Sequence, residues 1–251
     1  MADDLLSRFD ERSDEISVYL DFLDGVETLV KSGVPRLGAD GPTITTQQQR
    51  ILYSSVYLQL YNLVEATIVG SLDAVSKAAM ERASYVPADL SDDMRREWVR
   101  YLARTNVEMG PDKRLERAIA LCDHLVAALP VKAFDIDKGG GGNWHEGEIR
   151  KIADRIGCTL RLSRKATEGI SRPIRNELGA MGLVVSLRNA LAHGNISFVE
   201  CGQYDTAADL RILVESVRTY LREVVAAFGS YIEERWYLRP ERRSAAAGGE
   251  G

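Results

Sequence analysis

Residues 47–80 read QQQRILYSSVYLQLYNLVEATIVGSLDAVSKAAM, and this stretch decides the fold class. Leu52, Val56, Leu60, Leu63, Val64, Ile68, Leu72 and Val75 recur at i, i+4 and i+8, the pattern of a helix with a wide apolar face. Thr45 or Thr46 is placed to cap it, with Gln48 or Gln49 positioned to complete a capping box. Before it, Gly33 to Thr46 holds three glycines and two prolines and reads as a loop. Earlier still, Leu5, Phe9, Ile16, Leu20, Leu23 and Leu29 predict an amphipathic helix over 3–32. Further along, helices are predicted over 91–105 and 112–129, separated by Met109-Gly110-Pro111 and stopped by Pro130. Residues 146–156 read as a short helix ended by Gly157, Cys158 to Leu162 as a brief strand, and 175–193 as a helix ended by Gly194. The longest predicted helix, 207–236, carries Leu210, Leu213, Val217, Tyr220, Val224, Ala227 and Tyr231 near heptad spacing. That stripe suits either packing within the chain or a dimer seam. The whole reads as all-α. Its organisation is an acidic N-terminal helix and loop (1–44), a helical domain (45–238) with a flexible Gly-rich loop at 135–144, and a disordered tail (239–251).

Composition narrows the class. The chain has 251 residues, 45% hydrophobic and 27% charged, with a net charge of -5. These values exclude intrinsic disorder. No run of about 18 apolar residues is present, so no transmembrane helix is expected. The start, Met1-Ala2-Asp3-Asp4, is acidic and no apolar region follows, unlike a signal peptide. Cys122, Cys158 and Cys201 are odd in number and lack metal spacing, which speaks for a reducing, cytoplasmic setting. Charge is uneven. Residues 1–30 hold nine acids against Arg8 and Arg12, whereas 150–188 hold nine bases against Asp154, Glu168 and Glu177. The basic stretch suits phosphate binding even in an acidic protein, because screening limits the reach of charge to about 8–10 Å. It also suits ordinary solvated helix faces.

Three histidines limit the possible chemistry. His145, in Trp144-His145-Glu146-Gly147-Glu148, lacks a second histidine at zincin spacing and reads as an exposed loop residue. His124 reads as a helix-packing residue. His193 closes Leu187-Arg188-Asn189-Ala190-Leu191-Ala192-His193-Gly194, with Arg188 five residues before it. Arginine binds phosphate as a permanent cation, and histidine moves protons near neutral pH. Together they supply what RNA cleavage without a metal needs. The spacing alone is unspecific, because arginine is about one residue in ten here. On a straight helix, positions five apart diverge by about 140°. Either the helix stops at Ala192 and frees His193, or a two-fold axis brings two motifs together. Asn62 and Glu65 are polar on an apolar helix. With Tyr61 they either position Arg188 or His193, or Asn62 and Glu65 form a buried hydrogen-bonded pair that sets helix register.

Leu187 to Gly194, continued by Asn195-Ile196-Ser197-Phe198-Val199-Glu200-Cys201-Gly202, resembles the HEPN superfamily, and within it the MAE-like prokaryotic branch. Leu60-Tyr61-Asn62-Leu63-Val64-Glu65-Ala66-Thr67 agrees, as do Gly142-Asn143, Ile149-Arg150-Lys151-Ile152-Ala153 and Ile156-Gly157. The resemblance spans about residues 45–238. It implies a helical bundle, a two-fold homodimer, and a metal-independent endoribonuclease that needs no cofactor and leaves 2′,3′-cyclic phosphate ends. It implies that Arg188 and His193 are catalytic and that Asn189 supports them. RNA is the expected partner, contacted through Arg161, Arg164, Lys165, Arg172 and Arg175, and an antitoxin or defence-system protein is a further one. The role implied is toxin or antiviral effector. The alternative is a non-catalytic HEPN-like module that binds RNA or protein and regulates a partner. By charge alone, the acidic helix is expected to contact the 150–188 region and control RNA access.

Overall fold

The computed structural model describes residues 2–38, 40–81, 85–104, 108–131, 134–139 and 143–247. Helices run in the order α1 (Ala2–Ser32), α2 (Thr46–Met80), α3 (Asp92–Ala103), α4 (Pro111–Val126), α5 (Glu146–Arg155), α6 (Arg164–Ser171), α7 (Ala180–Ala192), α8 (Phe198–Cys201), α9 (Ala207–Glu233) and α10 (Pro240–Ala247). No strand forms among the described residues, only isolated bridges such as Arg36 with Thr43. The fold is all-α.

The decisive stretch becomes the central helix. Thr45 accepts from the Gln48 backbone N–H, while the Gln48 side chain accepts from the Thr45 N–H at 2.8 Å, closing the expected capping box. Val56, Leu60, Leu63, Val64, Ile68, Leu72 and Val75 are all buried. So are Tyr53, Tyr57 and Tyr61, because α1, α7, α8 and α9 surround α2. A helix apolar on more than one face belongs in a bundle interior.

The apolar stripe of α9, Leu210, Leu213, Val217, Tyr220, Val224 and Tyr231, is buried inside its own chain. It packs against α1 and α2. Packing within the chain is therefore its use, and the dimer-seam reading of this stripe falls.

The acidic helix corrects a second expectation. Leu5, Phe9, Ile16, Leu20 and Leu23 join the common core. The acids of α1 meet the arginines of α9: Arg222 pairs with Asp10, Arg218 with Asp14 at 3.7 Å, and Arg211 with Asp24 and, at 2.9 Å, with Asp21. Five of the nine bases of 150–188 pair with other acids instead. Arg150 pairs with Glu146, Lys151 with Glu148, Arg155 with Glu97, Arg164 with Glu168 and Arg175 with Asp205. No ion pair joins α1 to that region among the described residues.

Four local differences have physical causes. Cys158 and Leu160 are buried while Thr159 and Arg161 are exposed, so the alternation of a strand is real. No strand forms among the described residues for it to pair with. The predicted helix 175–193 starts at Ala180, because Asn176 and Glu177 adopt left-handed φ of 52° and 58° in a turn from Arg175 to Leu178. Helix α6 was not anticipated; Ser163 caps it by accepting from the Ala166 N–H at 3.1 Å. Beyond Leu238, expected to fray, α10 forms and Arg242 donates twice to Asp89, at 2.7 and 3.1 Å. The expected flexibility of the Gly-rich loop centres on 140–142, which, like 248–251, lie outside the described residues.

Candidate functional site

The Arg-x4-His motif lies on α7. Its entry is tight. A Cβ on Gly179 would lie 2.4 Å from the Ile170 carbonyl oxygen, so only glycine brings the chain past α6 here. Ala180, Met181, Leu183 and Val184 then seat the helix in the core.

The helix stops at Ala192, the first of the two arrangements that the spacing allowed. His193 is the cap, and its N–H donates to the Asn189 carbonyl at 3.0 Å. Gly194 adopts φ +69°, its N–H donates to Leu191 and the Asn195 N–H donates to Ala190 at 2.8 Å. This is a left-handed glycine termination. It leaves the His193 side chain exposed, with no hydrogen-bond partner among the described residues. The chain then turns into α8, capped by Ser197 and Glu200. Gly202 lets this segment lie on α2, since a Cβ there would sit 2.1 Å from the Arg50 carbonyl oxygen.

Arg188 is half-buried and held from two sides. Its guanidinium carbon lies 4.0 Å from the centroid of the Tyr61 ring. Its Nη1 donates to Asn189 Oδ1 at 2.8 Å, and Asn189 Nδ2 in turn donates to Asn143 Oδ1 at 2.8 Å. Burial pushes the Tyr61 hydroxyl above its ordinary pKa; Arg188 opposes this and Glu65 adds to it. The ring therefore stays neutral and presents an undistorted π face to the cation. The arrangement offers an oriented guanidinium with an exposed imidazole five residues on, at the helix cap. It can hold a phosphate oxyanion and exchange protons with solvent or substrate.

The structure thus brings Arg188, Asn189 and Tyr61 together and leaves His193 apart from them on the cap. Asn62 is exposed and Glu65 partly so; both line a groove between α1 and α2 with Arg8, Arg12 and Asp73. No hydrogen bond joins Asn62 to Glu65, so the buried register pair does not form.

The five expected RNA-contacting bases lie on α6 or close to it in sequence, in different surroundings. Arg175 is tied to Asp205 and stacks on Tyr204 at 5.6 Å. Arg164 pairs with Glu168 at 2.6 Å. Arg161 lines a cavity with Ser163, Glu223 and Trp236, Lys165 edges an apolar groove beside Ile212, and Arg172 is exposed at the end of α6. His145 is an exposed helix cap, and His124 packs its ring 5.1 Å from Trp98. No group of three or more His, Cys, Asp or Glu side chains is gathered for a metal among the described residues.

The role of Asn143 was not read from the sequence. The signal was there: a polar residue between a glycine run and a tryptophan that becomes buried.

No curated protein and no solved structure matches the chain. A family model does: that of MAE_28990-like HEPN proteins, over residues 1–237. The match reaches back through α1, beyond the stretch on which the resemblance was read. No helix among the described residues is long and apolar enough to cross a membrane. The motif on α7, the bundle around α2 and a family match over nearly the whole chain agree: the protein belongs to the MAE_28990-like HEPN family.

Proposed function

We propose that the protein is a metal-independent endoribonuclease of the HEPN type, acting in the cytoplasm as a toxin or antiviral-defence effector. The observation that carries this is Arg188, oriented by Tyr61 and Asn189, with His193 exposed on the cap of the same helix. In one protomer these two side chains share no hydrogen bond. A two-fold homodimer that apposes two α7 ends supplies the composite site, with two arginines and two histidines.

Arg188 would bind the scissile phosphate and stabilise the charge that develops on its oxygens as the 2′-oxygen attacks. The bond from phosphorus to the 2′-oxygen forms and the bond to the 5′-oxygen breaks. One His193 takes the 2′-hydroxyl proton and the partner's His193 returns one to the leaving 5′-oxygen. The product carries a 2′,3′-cyclic phosphate. Asn189 holds the motif in place. Of the expected RNA contacts, Arg161, Lys165 and Arg172 have no ion-pair partner among the described residues, whereas Arg164 and Arg175 do. The second reading, a HEPN-like module that binds RNA or protein without catalysis, draws support from the pairing of Arg164 and Arg175 with acids of the chain itself.

The test is induced expression of wild type beside Arg188→Ala and His193→Ala, scored by growth, RNA integrity and the chemistry of new RNA ends. The ribonuclease reading expects growth arrest and cyclic-phosphate ends from wild type alone, with both variants folded. Intact RNA in all three strains would favour the binding module.

A further inference from the structure

The geometry points to Asn143 as a positioning residue for Arg188, resting on the ribonuclease reading above. The Tyr61 ring sets the height of the guanidinium but leaves it free to rotate in its plane. Its direction comes from Asn189 Oδ1. A carboxamide, however, has two faces: an acceptor oxygen and a donor NH2. If the Asn189 amide turned over, its NH2 would confront the Arg188 N–H groups, donor against donor. Asn143 Oδ1 removes this ambiguity. It accepts from Asn189 Nδ2 at 2.8 Å, and so requires that the oxygen of Asn189 face the arginine.

Asn143 can do this because the described residues before and after it in the chain are held by helices other than α7. The next residue, Trp144, is buried, and the His145 N–H donates to the Asn143 carbonyl at 2.9 Å at the start of α5. On the near side of the glycines, the Ile136 N–H donates to Ser76 Oγ on α2. Lys138 pairs with Asp73 on α2 at 2.7 Å. Arg155 of α5 donates to the Asp137 carbonyl and pairs at 3.1 Å with Glu97 of α3, whose side chain is 1% exposed. The acceptor is thus fixed independently of α7, the helix it serves. It is also uncharged, so it orients Asn189 without competing with a phosphodiester for the guanidinium.

The test uses the full chain in four forms: wild type, Arg188→Ala, Asn143→Ala and Asn143→Asp. Two readouts are taken, cleavage kinetics on a single defined RNA and 15N NMR of the arginine guanidinium groups. A held Arg188 gives separate Nη signals, assigned by their loss in Arg188→Ala. Asn143→Ala should merge them and lower kcat about tenfold, with KM within about twofold, as misorientation by a fraction of an ångström does. Asn143→Asp keeps the acceptor: the Nη signals should stay separate and kcat stay near wild type, while KM rises at low salt because the new charge opposes the phosphate. The rescue by aspartate separates orientation from loop stability. Separate Nη signals in Asn143→Ala, or wild-type kcat in that variant while Arg188→Ala is inactive, would overturn the inference and leave the ribonuclease reading intact. Equal cleavage by wild type and Arg188→Ala would instead sink the ribonuclease reading, and the inference with it.

Discussion

Arg188 and Tyr61 should be energetically coupled, and the size of the coupling follows from their geometry. The guanidinium stands 4.0 Å from the centroid of a ring that is 1% exposed, while the arginine itself is half-buried. Cation–π contacts run from about 0.5 kcal/mol at exposed sites to about 2 when desolvated. A buried ring under a half-exposed cation falls between, at about 1 kcal/mol. Tyr61→Leu alone would confuse this with lost packing, so a double-mutant cycle with Arg188→Ala is needed. Thermal unfolding of wild type, both single variants and the double variant should give a coupling of about 1 kcal/mol, equivalent to about 2–4 °C in Tm for a domain of this size. Tyr61→Phe keeps the ring and should keep most of the coupling. If cleavage requires an oriented Arg188, Tyr61→Leu should also slow it about fivefold, since about 1.4 kcal/mol is tenfold. Additivity within about 0.3 kcal/mol would refute the reasoning, because it would mean that ring and cation do not hold each other.

Two glycines should fail differently: at Gly194 a methyl meets open space and only the φ of +69° resists, costing about 1 kcal/mol for Gly194→Ala, whereas at Gly202 it strikes the Arg50 carbonyl and should cost about 2–3. Equal melting temperatures for the two variants would contradict this. At Asp89, burial pushes the carboxyl up, but Arg242 and the Val86 N–H outweigh it and hold the pKa below the usual carboxylate range. An acid depressed on folding stabilises above its unfolded value of about 4, and that stability is lost as pH falls through the folded value. Wild type should therefore exceed Asp89→Asn in stability at neutral pH, and denaturant titrations should show the difference closing at acid pH. The exposed pairs of Arg211 and Arg222 with α1 should each contribute no more than about 1 kcal/mol and fade in about 1 M salt. A loss on Arg211→Ala that persists at high salt would show that α1 is held by that arginine rather than by its apolar face.

The long amphipathic helices were legible because the apolar face that predicts each one is the face it buries. Leu60 and Val64 on α2, and Leu213 and Val217 on α9, are of this kind. Gly194 as a helix terminator was legible for the same local reason, since only glycine takes that φ without strain. What stayed hidden was relational. The spacing of Arg188 and His193 gave the motif but not the ring beneath the arginine, because Tyr61 is 127 residues away along the chain. Asn143 was hidden likewise. The charge pattern of α1 was plain, yet its partners were misassigned. Net charge along a sequence does not say which basic stretch lies opposite, and α9, with only Arg211, Arg218 and Arg222 spread over its length, holds no conspicuous run. The alternation at Cys158 to Leu162 misled because burial alternates along any extended segment laid on a core, whether or not a strand lies beside it.

The ladder between α1 and α9 makes the first helix an internal counterpart of a polyanion. Carboxylates at Asp10, Asp14, Asp21 and Asp24 occupy arginines that would otherwise attract any passing run of phosphates. A chain stripped of α1 would expose Arg211, Arg218 and Arg222 together with the apolar ground around Leu20 and Leu23. It would also lose the net negative charge of the whole chain, because α1 carries nine acids against Arg8, Arg12 and Lys31. The first helix is thus both a wall of the core and the counter-charge of α9.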